Sequence, residues 1–315
     1  MLAIGFDIGG TKTRARVVAE DGSLLADYAV ATDEWRLRED QNADARRLAG
    51  IVSGLAGRGG DLRAIAIGSH GCDTDEECTA LADRLSRLLP ADVLVVNDAE
   101  LLLPASGFTD GIAVVSGTGS IAVTRDRQHR LMTAGGWGWY LGDEGSATGL
   151  VRAAARLVRA AQDAGRLDDP LIVMLCDAYG ARRDGTDLGS RISRLGSAAA
   201  IGEHARIIFD ALRMGSGLAR AAIDDGASAL SDKVATLAAR GAGGKRIVTG
   251  GSVIAGQPEF AAAFADAIRL KLNGWSLHPF VGPPVEGAVA LARCMLHGES
   301  LGNLPSPRRH GSADD

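Results

Sequence analysis

The 315-residue sequence has little cysteine and no long apolar run. Its four cysteines, Cys72, Cys78, Cys176 and Cys294, show no C-x-x-C spacing and are too few for a disulfide framework in a chain of this length. We therefore expect reduced thiols and no zinc site. No run of about 18 apolar residues occurs, which predicts no membrane span, and Met1 leads directly into a strand-like segment, which argues against a signal peptide.

Basic residues do not outnumber acidic ones. The sequence has 34 Lys and Arg against 39 Asp and Glu, with a formal net charge of −5, so it lacks the basic footprint of a nucleic-acid-binding protein. The apolar fraction of 46% supports buried cores, and 315 residues exceed the usual size of one core. Composition thus predicts a cytoplasmic protein of two domains, with neither nucleic acid nor membrane as a partner.

One pattern occurs twice: an apolar strand, a turn of glycine and hydroxyl residues, and a second strand. It is AIGFDIGGTKTRARVV at 3–18 and GIAVVSGTGSIAVT at 111–124. A P-loop needs a closing Lys-Ser/Thr pair before a helix and a dinucleotide fingerprint opens a helix, whereas a strand-like segment follows each of these turns. The repeat predicts two related half-domains that each present a loop to one anionic ligand, of which ATP is the best candidate.

The two turns carry groups that bind phosphate. Glycine lets the chain turn tightly and point successive N–H groups at phosphate oxygens, and hydroxyl side chains add donors. Either turn alone is equally typical of a glycine-rich hairpin. The predicted ATP contacts are Gly9, Gly10, Thr11, Lys12 and Thr13 in the first glycine turn and Gly117, Thr118, Gly119 and Ser120 in the second.

Periodicity outlines the remaining elements. The first half has a βββαβα order, with strands at 2–8, 13–20, 24–32, 64–69 and 93–97 and helices near 42–56 and 74–88. The second half restarts at Gly111, with helices at 147–164, 199–213, 217–240, 258–273 and 285–296, a loop at 180–189 and a strand at 246–250. The tail from residue 305 is predicted to be disordered.

Six motifs occur in an order that resembles the N-acetylglucosamine kinases of the BadF/BadG/BcrA/BcrD group, in the superfamily of actin, heat-shock chaperones and sugar kinases. They are DIGGTKT (7–13), VNDA (96–99), SGTGS (116–120), GGWGWYLGDEGS (135–146), TGGS (249–252) and PVEGA (284–288). The resemblance covers roughly residues 3–296.

This resemblance implies an α/β fold of two ribonuclease-H-like (actin-like ATPase) domains with ATP and sugar in a central cleft. The N-terminal domain would comprise residues 1–105 and a returning C-terminal helix at about 285–304. The C-terminal domain would comprise residues 106–284 with a helical insertion, followed by a disordered tail at 305–315.

Two carboxylates stand near the ends of apolar strands. A carboxylate within about 3 Å of a sugar hydroxyl can accept its proton during phosphoryl transfer, and the resemblance gives Asp98 this role and a contact with the substrate; the alternative is a helix cap. Asp7 precedes the first glycine turn, where burying a carboxylate without a cation is costly. We expect Mg²⁺ there, directly or through water, as the resemblance also implies; the alternative is a hydrogen bond from a backbone amide.

The segment 135–146 combines glycines, aromatic residues and acids, which together suit sugar binding. By the resemblance, the residues here that contact the amino sugar are Gly136, Trp137, Gly138 and Asp143. Glu144 is either a further contact or a charge favoured at the start of a helix. Trp139 and Tyr140 are expected in the core rather than at the ligand.

Four further residues carry weaker signals. Asp33 stands where the acetylglucosamine kinases present an Asn to the sugar; an acid could favour a free amine and point to glucosamine, or the residue could lie in a solvated loop. Gly250 and Gly251 stand where the family passes the adenosine end of ATP, or they form only a helix-entry turn. His70 falls near the expected cleft and is interpreted as structural.

The expected activity is ATP-dependent phosphorylation of an amino sugar, by the resemblance N-acetylglucosamine to its 6-phosphate, with Asp98 as general base and Mg²⁺ as cofactor. Glucosamine is the alternative substrate, and a homodimer is expected by resemblance only. Two other classes compete. One is an ATPase that activates a partner reductase or dehydratase through an iron–sulfur cluster, although Cys72 and Cys78 lie in no cluster-binding pattern. The other is a sugar sensor, although no helix-turn-helix segment precedes residue 3.

Overall fold

The computed structural model describes residues 1–57 and 60–310, which contain two sheets of five strands each. The first sheet consists of β1 (Leu2–Ile8), β2 (Lys12–Ala19), β3 (Leu24–Ala31), β4 (Leu62–Ser69) and β5 (Asp92–Asn97). The second sheet consists of β6 (Ile112–Ser116), β7 (Ser120–Arg125), β8 (Leu131–Gly135), β9 (Arg246–Gly250) and β10 (Ser276–Pro279).

The two sheets share one topology. The strand order is β3-β2-β1-β4-β5 in the first and β8-β7-β6-β9-β10 in the second. In each sheet the first three strands form an antiparallel meander, and the last two run parallel to the first strand of the meander. The predicted α/β fold with two related halves is confirmed, and both glycine turns join strand to strand as expected.

Helices cover the faces of both sheets. The helices of the first half are α1 (Gln41–Ala56), α2 (Asp75–Ser86) and α3 (Leu102–Ala105), with 3₁₀ turns at Thr32–Glu34 and Asp98–Leu101. The others are α4 (Gly138–Leu141), α5 (Ala147–Asp163), α6 (Pro170–Ala178), α7 (Leu188–Ser193), α8 (Ala198–Gly202), α9 (Arg206–Arg213), α10 (Gly217–Ala239), α11 (Ser252–Gly256), α12 (Pro258–Lys271) and α13 (Val285–His297). Over residues 1–57 and 60–310, no helix has the length and apolar character needed to span a membrane.

The last helix returns to the first sheet and packs so closely that Gly5 and Gly287 have no space for a side chain. A Cβ on Gly5 of β1 would lie 2.4 Å from the backbone nitrogen of Val289, and one on Gly287 would lie 2.0 Å from the carbonyl oxygen of Leu101. These two glycines therefore allow α13 to approach β1 and the turn after β5. On this packing we propose the domain division into 1–105 with 285–304, and 106–284.

The two halves meet at the residues that follow β5. Ala99 and Leu102 pack with Ala113, Val123 and Val248 of the second sheet in one buried apolar cluster. The 3₁₀ turn that begins at Asp98 therefore lies between the two sheets, so a change in the relative position of the halves would act directly on this turn.

Several elements differ from the sequence predictions. The predicted helix at 199–213 is two helices, α8 and α9, separated at 203–205. Strands β8 and β10 and helices α6, α7 and α11 were not predicted, and the predicted loop at 180–189 ends within α7. A start signal for α6 was present, because Asp169 accepts a hydrogen bond from the Leu171 N–H at 2.9 Å and Pro170 occupies the first helical position.

The prediction of disorder from residue 305 is corrected for residues 305–310. Arg308 exchanges backbone hydrogen bonds with Val93 of β5, at 2.9 and 2.8 Å, and its guanidinium lies 2.8 Å from the Asp83 carboxylate. An edge strand offers unpaired backbone groups, and here this segment pairs with them. Residues 311–315 of the predicted tail lie outside the described residues.

The glycine at 287 gives a first testable prediction. We expect Gly287→Ala to lower the free energy of unfolding by about 1–3 kcal/mol, because the added methyl must displace backbone atoms. Gly50→Ala is the control, since position 50 is an exposed α1 position with no atom within 4 Å of the added Cβ, and it should stabilise by about 1 kcal/mol. Urea unfolding curves measure both changes; equal behaviour of the two variants would contradict the close packing of α13.

Candidate functional site

Two acidic residues lie at one edge of the first sheet. Strands β1 and β5 both run parallel to β4, which lies between them, so their carboxyl ends meet at the same edge. Asp7 lies one residue before the end of β1, and Asp98 directly follows β5. The first glycine turn leaves β1 at this edge, which is where ligands of open α/β sheets bind.

The turn at Asp98 is capped by its neighbours. The Asn97 side chain accepts a hydrogen bond from the Ala99 N–H at 3.0 Å, and Glu100 accepts one from the Asn97 N–H at 3.0 Å. Capping is thus the work of Asn97 and Glu100. Asp98 Oδ1 also accepts from the Ala99 N–H, at 3.1 Å, whereas its Oδ2 faces the Nδ1 of His70 at 3.8 Å.

The two carboxyl groups have strongly raised pKa values. Burial, aided by the charge of Asp73, raises the pKa of Asp98 from 3.8 to about 7. Burial and then the charge of Asp98 raise the pKa of Asp7 to about 7, with Arg14 opposing the shift. Because desolvation penalises the charged form, holding two such groups near each other lowers stability.

Asp7 is the candidate ligand for a cation. Within the part of the chain that the structure describes, its carboxylate accepts no hydrogen bond, so the alternative of a backbone amide partner is not observed. Nor do residues 1–57 and 60–310 contain a group of three or more His, Cys, Asp or Glu side chains that could hold a metal. A single carboxylate suits Mg²⁺, which takes one or two carboxylates and completes its shell with phosphate oxygens and water.

The first glycine turn leaves backbone donors free. Gly9 N–H donates to the Lys12 carbonyl at 3.0 Å and closes the turn. Among the described residues, the N–H groups of Gly10 and Thr11 have no acceptor. Both Thr11 and Lys12 are exposed, so this turn can offer N–H, hydroxyl and ammonium groups to a phosphate.

Thr13 does not fit the predicted phosphate contact. Its side chain is fully buried, its hydroxyl lies 3.0 Å from that of Thr32, and it accepts a hydrogen bond from the Trp35 indole at 3.0 Å. Alternation along β2 turns Thr13 inward. Thr32 in turn donates to the Gly9 carbonyl at 2.9 Å, so these residues hold the segment with the exposed Asp33 against the turn.

The second glycine turn repeats this arrangement. Gly117 N–H donates to the Gly119 carbonyl at 2.9 Å, and the N–H groups of Thr118 and Gly119 have no acceptor in residues 1–57 and 60–310. Ser120 is the exception among the predicted contacts. It is buried, its N–H donates to Asp143 Oδ1 at 3.1 Å, and its hydroxyl donates to the Glu144 carbonyl at 2.8 Å. Its donors hold the second turn to the acidic segment and are not available to phosphate.

The TGGS turn lies directly beside the second glycine turn. Gly251 has φ +103°, and a Cβ there would lie 2.5 Å from the Ser116 carbonyl oxygen. A Cβ on Gly250 would lie 2.8 Å from the Cδ2 atom of Leu102. The helix-entry interpretation is locally right, because α11 begins at Ser252. The contact of Gly251 with the second glycine turn nevertheless keeps the TGGS turn beside the candidate nucleotide site.

The two acids of the GDEG segment have different surroundings. Asp143 is buried with φ 63°, and burial raises its pKa despite the hydrogen bond from Ser120. Partial burial also disfavours the charge of Glu144, but the Lys233 ammonium at 2.7 Å lowers its pKa below the usual value. Glu144 does not begin a helix, since α5 starts at Ala147 with Ser146 as its cap. Glu144 therefore joins this segment to α10.

The aromatic residues of the segment 135–146 do not all lie in the core. Trp137 is 75% exposed and Tyr140 is 78% exposed, so the expectation of a core position is wrong for Tyr140. Trp139 is half-buried and meets the Tyr140 ring edge-on at 5.6 Å. Gly136 and Gly138 both have φ of +74°, which lets the chain carry Trp137 outward at the end of β8.

A buried ion pair between the halves was not predicted from the sequence. Arg125 of β7 is 5% exposed and donates to Glu100 at 2.7 and 3.1 Å and to Asp75 at 2.7 Å. The N-D-A-E sequence at 97–100 already marks a capping box. Nothing local in the sequence, however, identifies Arg125 as the partner of Glu100. The pair fixes the turn that carries Asp98.

The fold and the site together define a protein of two related α/β halves, with paired carboxylates and two glycine turns. The chain belongs to the BadF/BadG/BcrA/BcrD ATPase family, whose model matches residues 4–292. Similar two-domain folds occur in a ROK family glucokinase from Streptomyces griseus, solved with glucose and AMPPNP, at a TM-score of 0.55 and 21% identity over 93% of this chain and 99% of that one.

Another solved structure, from Chromobacterium violaceum and provisionally assigned as an N-acetylglucosamine kinase, has a TM-score of 0.67 at 22% identity and covers 91% of this chain and 97% of its own. An N-acetylmuramic acid/N-acetylglucosamine kinase from Clostridium acetobutylicum is 36% identical over 151 residues, which is 45% of this chain and 48% of that protein. The N-acetyl-D-glucosamine kinase of Dictyostelium discoideum is 26% identical over 157 residues, 45% of this chain and 49% of its own. The chain spans about half the length of these curated relatives.

The raised pKa of Asp98 predicts a cost to stability that depends on pH. The folded carboxyl keeps its proton up to a pH of about 7, whereas the unfolded one loses it near 3.8. Its contribution to stability therefore falls as the pH rises between these values. Asp98→Asn removes the ionisable group, so its Tm should exceed that of the wild type at about pH 8 by a few degrees, at about 2–4 °C per kcal/mol.

Thermal unfolding of the unliganded protein measures this difference, which should shrink towards zero at about pH 3, where the carboxyl is largely protonated in both the folded and the unfolded state. Asp92→Asn, at the opposite end of β5, is the matched control. A gain that is the same at both pH values, or the same in the control, would show that the buried charge of Asp98 is not its cause.

Proposed function

We propose that this protein is an ATP-dependent kinase that phosphorylates a hydroxyl of an amino sugar, with N-acetylglucosamine and its 6-phosphate as the favoured substrate and product. The observation that carries the proposal is the pair Asp7 and Asp98 at one sheet edge, with a glycine turn of unpaired N–H groups in each half. The activities of the Clostridium and Dictyostelium relatives support the choice of an amino sugar.

Asp98 is proposed as the general base. It accepts the proton of the sugar hydroxyl as the oxygen forms its bond to the γ-phosphorus and the bond from that phosphorus to ADP breaks. A group with a pKa near 7 is well matched to this task at neutral pH. In the proposed complex the free N–H groups of Gly10, Thr11, Thr118 and Gly119 hold the phosphates. Mg²⁺ at Asp7 would supply neutralisation of the phosphate charge.

The sugar is proposed to lie between the segment 136–143 and Asp33. Trp137 presents an exposed ring that can cover the apolar face of a pyranose, and Asp143 is a buried carboxylate that can accept hydrogen bonds from hydroxyls. Asp143 belongs to the second half, yet its charge acts on the pKa of His70 in the first half, which burial lowers. Asp143 therefore lies within electrostatic range of a residue at the site edge of the first sheet, which supports placing the sugar between the two halves.

The ATPase activator is the second candidate, because the matched family is described as an ATPase family. That class needs cysteines at the surface to hold a cluster between subunits. Cys72, Cys78 and Cys176 are buried here, and Cys294 on α13 is half-buried, so the thiols of the described chain do not favour this function. A sugar-independent rate of ATP hydrolysis would favour it.

A coupled ADP-release assay tests the proposed reaction and its base. We expect an amino sugar to raise the rate with Mg²⁺-ATP, and Asp98→Asn to retain about 1% of it or less, with ATP affinity within about threefold of the wild type, because only the base is lost. Asp92→Asn is again the control and should keep full turnover. An Asp98→Asn rate above about a tenth of the wild type would exclude Asp98 as the base.

Asp33 gives a prediction about the substrate. An acid can pair with the ammonium of glucosamine, whereas an amide suits an acetamide. We expect Asp33→Asn to raise the ratio of kcat/KM for N-acetylglucosamine to that for glucosamine by about tenfold, or about 1.4 kcal/mol. Glu34→Gln, which neutralises the exposed neighbouring acid, should leave the ratio unchanged. An unchanged ratio in both variants would place Asp33 in a solvated loop outside the sugar site.

A further inference from the structure

His70 lies between the first glycine turn and Asp98. Its Nδ1 is 3.8 Å from Asp98 Oδ2. On its other side, a Cβ added to Gly10 would lie 3.5 Å from the His70 Nε2 and Cδ2 atoms. The imidazole is half-exposed, with 50% of its side-chain surface accessible. One ring therefore lies beside the first glycine turn and faces the proposed base.

Hydrogen bonds hold the main chain of His70 in place. The His70 N–H donates to the Ile8 carbonyl of β1 at 2.8 Å, and the Arg36 guanidinium donates to the His70 carbonyl at 2.7 Å. Gly71 follows with φ +77°, which directs the chain away from the site. The main chain of His70 is thus anchored at the sheet edge, and within the described residues the ring itself makes no hydrogen bond.

The charge state of His70 suits donation to a carboxylate. Burial, together with the positive charges of Arg38 and Arg36, lowers its pKa against the opposing charges of Asp73 and Asp143, which favours the neutral ring. A neutral imidazole has one N–H and one lone pair. When Nδ1 carries the proton it can donate to Asp98, and Nε2 then faces the glycine turn as an acceptor.

We propose that His70 is a positioning residue for Asp98, an inference that rests on the proposed function. The Nδ1–H donates to Asp98 Oδ2 when the site closes on its substrates, while the Ala99 N–H already holds Oδ1 at 3.1 Å. Both oxygens are then oriented, and the remaining lone pair of Oδ2 is directed at the sugar hydroxyl. The separation of 3.8 Å must shorten by about 1 Å, as is common for catalytic hydrogen bonds that are long before substrates bind.

Two substitutions separate positioning from packing. His70→Gln keeps an N–H donor at a similar reach, whereas His70→Leu fills the space without one. We expect His70→Leu to lower kcat by about 30-fold with both KM values within about threefold, because the base is present but misdirected. His70→Gln should recover to within about threefold of wild-type kcat. His297→Gln, at an exposed position on α13, is the control and should match the wild type.

The outcomes are distinct. Unchanged kcat in His70→Leu, or an equal loss in both His70 variants whose Tm values match the wild type, overturns the positioning role. A change confined to KM also overturns it, since that would mark a substrate contact. Asp98→Asn is assayed alongside. If that variant is inactive while both His70 variants are fully active, only this inference fails; if no amino sugar stimulates the wild type, the proposed function fails and the inference with it.

Discussion

The structure depends on holding two carboxylates, Asp7 and Asp98, at one sheet edge. Burial raises both pKa values to about 7, aided by the charge of Asp98 at Asp7 and by the charge of Asp73 at Asp98, and this costs folding stability. The surrounding architecture offsets that cost. The parallel register of β1, β4 and β5 sets their positions, and Arg125 with Glu100 fixes the turn between the halves. Breaking a buried pair of this kind typically costs about 3–5 kcal/mol.

The two halves share one arrangement of a glycine turn and a neighbouring hydroxyl residue. In each half, a glycine turn leaves two consecutive N–H groups free. A neighbouring hydroxyl residue, which the sequence predicts to contact phosphate, instead forms hydrogen bonds within the protein. Thr13 holds the segment with Asp33, and Ser120 holds the segment with Asp143. Phosphate would thus be bound by the backbone, while the hydroxyls tie the segments proposed to bind sugar to the turns proposed to bind phosphate. This linkage would transmit movement at one ligand to the other.

Regular patterns made much of the fold predictable. Strands β1, β2, β4 and β5 and helices α1, α5 and α10 follow from apolar periodicity, and the residue types at Asp7 and Asp98 already indicated the site. The sequence did not show which way individual side chains face or which distant residues pair. Alternation on a strand buries Thr13, Tyr140 lies exposed on the short helix α4, and Arg125 pairs with residues 25 and 50 positions away. These outcomes arise from long-range packing, which local propensity does not encode.

The central claim is that the site transfers a phosphoryl group to an amino-sugar hydroxyl. The most direct measurement is phosphorus–proton correlation NMR of the products formed from Mg²⁺-ATP and N-acetylglucosamine. We predict a new phosphomonoester signal coupled to the protons on the carbon that bears the 6-hydroxyl, in amounts equal to the ADP formed. ADP accompanied only by inorganic phosphate would contradict the claim, because water would then be the acceptor in the presence of the sugar.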